Sequence, residues 1–146
     1  MLALSPLCFP VSASGSNESP IAIVIHGGAG TIKRELMSDE MEDRYREVLA
    51  EAIESGYQIL KNDGSSTDAV IATITLLEDS PLFNAGHGAV FNHDGNIELD
   101  ASIMQGGDLN AGAVAAVSRV KNPITLALAV LEHSPHVMLV GEGAEM

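Results

Sequence analysis

Tryptophan is absent from this chain, and three Phe with two Tyr are its only aromatic residues, so any core it builds is aliphatic and rich in alanine. Positive charge is scarce as well: seven Lys and Arg against twenty Asp and Glu leave a formal charge of −13. A nucleic-acid binder needs a basic face to neutralise phosphates, and anionic lipid attracts basic segments, so this balance argues against both partners. With Cys8 alone, neither an intrachain disulfide framework nor a cysteine zinc cluster can form. The five histidines are scattered; His133 and His136 stand three apart, but Pro135 between them breaks the helix that would align them. No apolar run is long enough to span a membrane. A phosphate loop is also missing. The early glycines fall at 27, 28 and 30, Lys33 occupies the place of the third glycine of GxGxxG counted from Gly28, and no GxxxxGK[ST] is present.

What is present suits one domain. At 146 residues and 46% apolar content the chain can bury a real core. Residues 1–20 do not read as folded structure. An apolar run (Leu2, Ala3, Leu4, Leu7, Cys8, Phe9, Val11) leads to Val11-Ser12-Ala13, which resembles the small-residue pattern before a signal-peptidase site. No Lys or Arg precedes it and prolines interrupt it, so two readings stand: the remnant Met1–Ala13 of an export signal, placing the protein in the periplasm or outside the cell, or a disordered extension of a cytoplasmic one. Residues 21–146 form the domain.

Ile21–Ile25 is a continuous, largely β-branched run, expected to be a strand buried on both faces. His26-Gly27-Gly28-Ala29-Gly30 follows at once, and its glycines permit close backbone approach. Ser38 reads as an N-cap, with Met41, Tyr45, Val48, Leu49, Ala52, Ile53 and Leu60 on one helical face and Asn62-Asp63-Gly64 as the stop. A second helix opens at Ser65, with the capping-box spacing of Ser65-Ser66-Thr67-Asp68, and runs to about Glu78; apolar nearly all round, it should be buried.

The stretch from Leu76 to Phe91 organises the rest. Pro81 ends the helix, Phe83-Asn84-Ala85-Gly86-His87-Gly88 is too glycine-rich for a packed element and too apolar for an ordinary surface loop, and Ala89-Val90-Phe91 should restart as a strand. Spacing alone favours a tight helix-to-strand connection; its apolar side chains turn inward and leave backbone carbonyls to be satisfied by water, side chains or a cation. Asp94-Gly95 then signals a hairpin turn. Ile97, Leu99, Ala101 and Ile103 alternate with polar or exposed positions, the period of a half-buried strand. Glu98 and Asp100 share a face of it, either as a carboxylate pair for acid–base or metal chemistry or as a solvated face. Ala111–Val120 reads as a strand of small residues, Asn122-Pro123 opens a third helix that Ser134-Pro135-His136 stops, and Val137–Val140 is a last short strand before Gly141-Glu142-Gly143-Ala144 opens another element. The order suggests a layered α+β domain rather than a doubly wound parallel sheet.

Four motifs, in order, resemble plant-type asparaginases (isoaspartyl peptidase/L-asparaginases) of the N-terminal-nucleophile hydrolase superfamily. They are HGGAG at 26–30 after its strand, PLFNAGHGAVF at 81–91, ELDASIM at 98–104 with GAVAAVS at 112–118, and NPITLA at 122–127 with SPH at 134–136. The likeness covers everything from Ile21 onward. It implies part of an α–β–β–α sandwich that hydrolyses L-asparagine and β-aspartyl dipeptides and assembles as (αβ)2. The precursor cleaves itself at a Gly-Thr bond, and the freed threonine attacks the amide carbonyl with its own α-amine as base. It also implies a structural sodium ion on the carbonyls of Leu77, Glu78, Ser80, Phe83, Ala85 and His87, with no catalytic cofactor. Asn84 would face the active centre, and His26, Gly27 and Gly28 would lie beside the nucleophile's strand.

This sequence departs from the pattern in one large respect. It has no Gly-Thr-Val-Gly cleavage motif, nor the Arg, Asp and Thr-Gly that lie beyond it in the family, and its one Gly-Thr pair, Gly30-Thr31, runs on as Ile32-Lys33 in the N-terminal loop and is rejected as nucleophile. No catalytic residue is expected within the chain. Two readings follow: part of a threonine-nucleophile amidohydrolase that works with a β-subunit, or a non-catalytic fragment or partner of a full-length relative.

Overall fold

A computed structural model describes residues 20–28 and 37–146. The leader expectation for 1–20 lies outside these except at Pro20, as do Ala29, Gly30 and the rejected Thr31.

Helix α1 spans Asp39–Lys61, opened by Ser38, whose hydroxyl accepts the Met41 N–H at 3.2 Å, and favoured by Asp39, Glu40 and Glu42 in its first turn. It stops where expected: Asp63 takes a positive φ of 61° and the Gly64 N–H returns to Ile59 O at 2.8 Å. Helix α2, Ser66–Asp79, starts at Ser65, whose hydroxyl accepts the Asp68 N–H and donates to the Asp68 carboxylate. The two helices pack at Gly56, buried in α1: a Cβ there would sit 2.2 Å from Thr73 Oγ1 and 3.0 Å from Ala69 O. Only the absence of a side chain allows that approach. Burial of α2 is a correction to the sequence reading. Its fully buried residues are Ala69, Thr73 and Glu78, while Val70 is 38% exposed, because one helix and one core leave part of its surface uncovered.

Strands β1 (Leu99–Met104) and β2 (Ala111–Val117) pair antiparallel, and β2 pairs parallel with β3 (Met138–Val140) through helix α3 (Pro123–His133). The result is an α+β domain with a mixed sheet ordered β1-β2-β3. Leu99, Ile103, Val114 and Val117 face Ile124, Ala127 and Val130 of α3, with Ala144 closing the cluster; Ile71 and Ile74 of α2 pack against it. Gly112 lets α3 settle on the sheet, since a Cβ there would lie 2.2 Å from Ala127 O. The opposite face carries Ser102, Met104, Ala113, Met138 and Val140, and no described element covers it.

Two expected strands do not form. Ile21–Ile25 pairs with no described strand; it lies on the α1–α2 pair, Ile23 against Gly56, and leaves Val24 91% exposed. Ala89–Phe91 is likewise unpaired, with Val90 and Phe91 exposed. β-Branched sequence favours a strand only when a neighbour accepts its hydrogen bonds. The Asp94-Gly95 turn does form, closed by Asn92 N–H to Asn96 O at 2.8 Å, but it joins irregular chain rather than two strands. The strand expected over 111–120 ends at Val117.

Candidate functional site

Residues 77–91 leave α2 as a compact loop on internal hydrogen bonds. Leu77 O accepts from Ser80 N–H, Phe83 O from Ala85, Ala85 O from Gly88 and Gly86 O from Ala89. Phe83 is buried and meets Tyr45 of α1 edge-to-face, ring centres 5.5 Å apart, which anchors the loop from beneath. Gly86 and Gly88 form a short 3-10 turn at φ +49° for Gly86. Built side chains there would collide with carbonyl oxygens: Glu78 O at 2.5 Å from Gly86, Phe83 O at 2.2 Å and Pro81 O at 2.9 Å from Gly88. Those carbonyls press into the glycine turn. Backbone oxygens are the donor chemistry of a hard cation, although Leu77 O, Phe83 O and Ala85 O each already accept an N–H here. His87 is exposed, its Nδ1 3.3 Å from Asp79 O.

Asn84 projects from the other side of the loop. Its Oδ1 accepts the Val90 N–H at 2.9 Å, and it lines a cleft of about 190 Å³ with Glu78, Ala85, Gly86, Ala89, Glu98, Leu99, Asp100 and Pro123. The wall is rich in acceptors and contains no Ser, Thr, Cys or Lys among its described residues, so it offers no hydroxyl, thiol or amine nucleophile. Asp100 is partly committed: its Oδ1 takes the Ala116 N–H at 2.8 Å where β2 bulges and Ala116 adopts φ +52°. Glu98 precedes the strand and shares the cleft. Among the described residues no group of three His, Cys, Asp or Glu side chains is placed to hold a metal.

Gly27 and Gly28 line a different opening, whereas His26 lines neither of the two. The Gly28 N–H donates to His26 Nδ1 at 3.1 Å, and Gly28 sits at φ +109° with open space where a side chain would be. Gly27 packs on Leu49 and Phe83, and with Gly28, Tyr45 and Arg46 lines a groove of about 420 Å³. Residues 83 and 84 therefore divide the site: the Phe83 ring borders the groove and Asn84 borders the cleft. Of these two openings, the glycine pair lines one and Asn84 the other.

Sequence reading missed the side chains of Glu78 and Asp79. Glu78 is 3% exposed; its Oε1 accepts the Ile124 N–H at 3.0 Å, capping α3, while Oε2 is buried without a partner. Burial pushes its carboxyl up, the Ile124 hydrogen bond and the nearby Asn122 amide opposing. Asp79 takes Lys121 Nζ at 2.8 Å and Asn122 Nδ2 at 3.0 Å, and these hydrogen bonds, Lys121 first, hold its carboxyl below the usual range. Glu145 likewise was not foreseen: it accepts the N–H groups of Ser118 and Arg119 and pairs with Arg119 Nε at 2.9 Å.

Comparison with known proteins gives the same family as the four motifs. A family model described as asparaginase matches residues 19–146. The isoaspartyl peptidase of Salmonella typhimurium is 54% identical over 123 residues, 84% of this chain and 39% of that protein. The plant-type L-asparaginase of Pyrococcus abyssi is 51% identical over 124 residues, covering 85% and 39% of the two chains. The isoaspartyl peptidase/L-asparaginase of Rattus norvegicus is 46% identical over 136 residues, 93% of this chain and 40% of that protein. The chain thus spans about two fifths of the length of these relatives.

Proposed function

Because this chain belongs to the asparaginase family, we propose that it supplies one wall of an enzyme hydrolysing the side-chain amide of L-asparagine and β-aspartyl dipeptides. The observation that carries the reading is 46–54% identity to relatives bearing those names over 84–93% of the chain. In this reading the nucleophile is a threonine freed by self-cleavage in a part of the enzyme that this sequence does not contain, its hydroxyl activated by its own α-amine. The chain's own residues orient. Asn84, already held by Val90 N–H, keeps its amide nitrogen for the reacting centre, and the Asn84 cleft supplies acceptors at the substrate's side. The 26–28 segment borders the same loop from the groove side.

The carbonyls of Leu77, Glu78, Ser80, Phe83, Ala85 and His87 would hold sodium, whose charge would knit the loop and so fix Asn84. Two of these oxygens, Glu78 O and Phe83 O, lie close against Gly86 and Gly88, which supports the reading. The bare sheet face around Met104 and Met138, lined by small Ala113 and Ala115, suits a second sheet in an α–β–β–α sandwich, supplied by a β-subunit within an (αβ)2 assembly.

The test is an amidase assay on the purified chain, then on the chain joined to the remaining part of the Salmonella typhimurium relative. The chain alone should release no ammonia or aspartate above buffer. The joined protein should be active, and Asn84→Ala in it should lower kcat/KM by about tenfold to a hundredfold, the scale of a misplaced reacting group. Hydrolysis by the isolated chain, or an Asn84→Ala protein as active as its parent, contradicts the reading.

A further inference from the structure

The chain has two Asp-Gly pairs, and the fold treats them differently. Glycine after aspartate leaves the main-chain nitrogen unshielded, so Asp-Gly is where an aspartate side chain is most open to attack by its own backbone. Asp63-Gly64 closes α1. There the Gly64 N–H is held by Ile59 O at 2.8 Å, and a side chain at 64 would meet Ile59 Cγ2 at 2.5 Å, so this main chain is packed against the helix it ends. Asp94-Gly95 stands at the tip of the turn between the Asn84 loop and β1. Both residues are exposed, nothing lies within 4 Å of a Cβ built on Gly95, and its N–H has only a 3.1 Å bond to Asn92 O.

We propose that Asp94-Gly95 is a site of spontaneous isomerisation, at which the main chain becomes rerouted through the Asp94 side chain, and that Asp63-Gly64 is protected from it. The Gly95 nitrogen attacks Cγ of the protonated Asp94 carboxyl. The N–Cγ bond forms, the nitrogen's proton and the carboxyl hydroxyl leave as water, and a succinimide closes. Water then reopens the ring. Opening at Cγ restores aspartate, whereas opening at the main-chain carbonyl leaves Gly95 bonded through Cγ beside a free α-carboxylate. Water is the only other reactant.

The product has one more carbon in its main chain between two walls of the cleft. Asn84 and Ala89 lie before the turn, Glu98 and Asp100 after it. Asn92 Oδ1, which accepts the N–H groups of Asp94 and Asn96, can no longer meet both in the present register. Isomerisation would therefore loosen the cleft from its rim.

The full chain is held folded in mildly acidic water labelled with heavy oxygen, then cut after glutamate in ordinary water, which separates residues 55–78 from 79–98. Heavy oxygen should accumulate in 79–98 several-fold faster than in 55–78, with a second isobaric form of 79–98 resolving on chromatography. Asp94→Ala, which has no carboxyl to close the ring and leaves the cleavage pattern unchanged, should remove both signals. Equal labelling of the two peptides, no labelling of either, or labelling of 79–98 that survives Asp94→Ala overturns the proposal.

Discussion

Gly56 sets the distance between α1 and α2. Alanine there would gain helix propensity of about 1 kcal/mol. Its methyl, however, would enter a space already held by Thr73 Oγ1 at 2.2 Å and Ile23 Cδ1 at 2.6 Å, with the Ala69 carbonyl behind them. Overpacking of this kind costs about 1–3 kcal/mol, so Gly56→Ala should move the urea midpoint down with little change in slope. Glu145 acts by charge. Hydrogen bonds from Arg119 N–H first, then the Arg119 side chain and Ser118 N–H, hold its carboxyl below the usual carboxylate range. A group depressed on folding contributes stability above its unfolded pKa and loses it as pH falls through the folded one. Glu145→Gln should therefore flatten the fall in stability below pH 4.5, read as melting temperature against pH. Neither role was legible in sequence: Gly56 looks like an ordinary interruption of a helix, and Glu145 finds its partners 26 and 27 residues away.

At the scale of elements, what was legible is what is local. Ser38, Ser65, Asn122-Pro123 and Asp94-Gly95 mark starts and turns through their own backbone chemistry, and each marks one in the structure. Ile21–Ile25 and Ala89–Phe91 misled because a strand is a property of two segments and only one was being read. The cleft was half legible. Asn84, Glu98 and Asp100 were singled out, but Glu78 was expected to act through its carbonyl, and its side-chain grip on α3 spans 46 residues. That grip is testable. Glu78→Gln keeps an oxygen for the Ile124 N–H, and Glu78→Ala does not, so the alanine protein should be less stable than the glutamine one by about 1–3 kcal/mol in urea unfolding. Equal stabilities would mean that α3 starts without help from α2.

For the whole molecule, the decisive asymmetry is between the two faces of the sheet. One is sealed by α3; the other leaves Met104, Met138 and Val140 each more than half exposed. An uncovered apolar sheet face is an association surface. The isolated chain should bind a hydrophobic dye and sediment with a mass that rises with concentration, and Met138→Lys with Val140→Lys should suppress both. Beneath that face, among the described residues every member of the main buried cluster lies between Leu99 and Ala144, and α1 contributes none of them. Protection against backbone hydrogen exchange should therefore be graded along the chain. Amides of β2 and α3 would open only with global unfolding, and those of α1 would open earlier in smaller excursions. The loop that carries Asn84 hangs from the end of α2, between these two regimes. Its shape is thus kept by the slow unit at Glu78 and sampled by the fast one at Phe83, so the Tyr45 contact is the seam along which the molecule would first come apart.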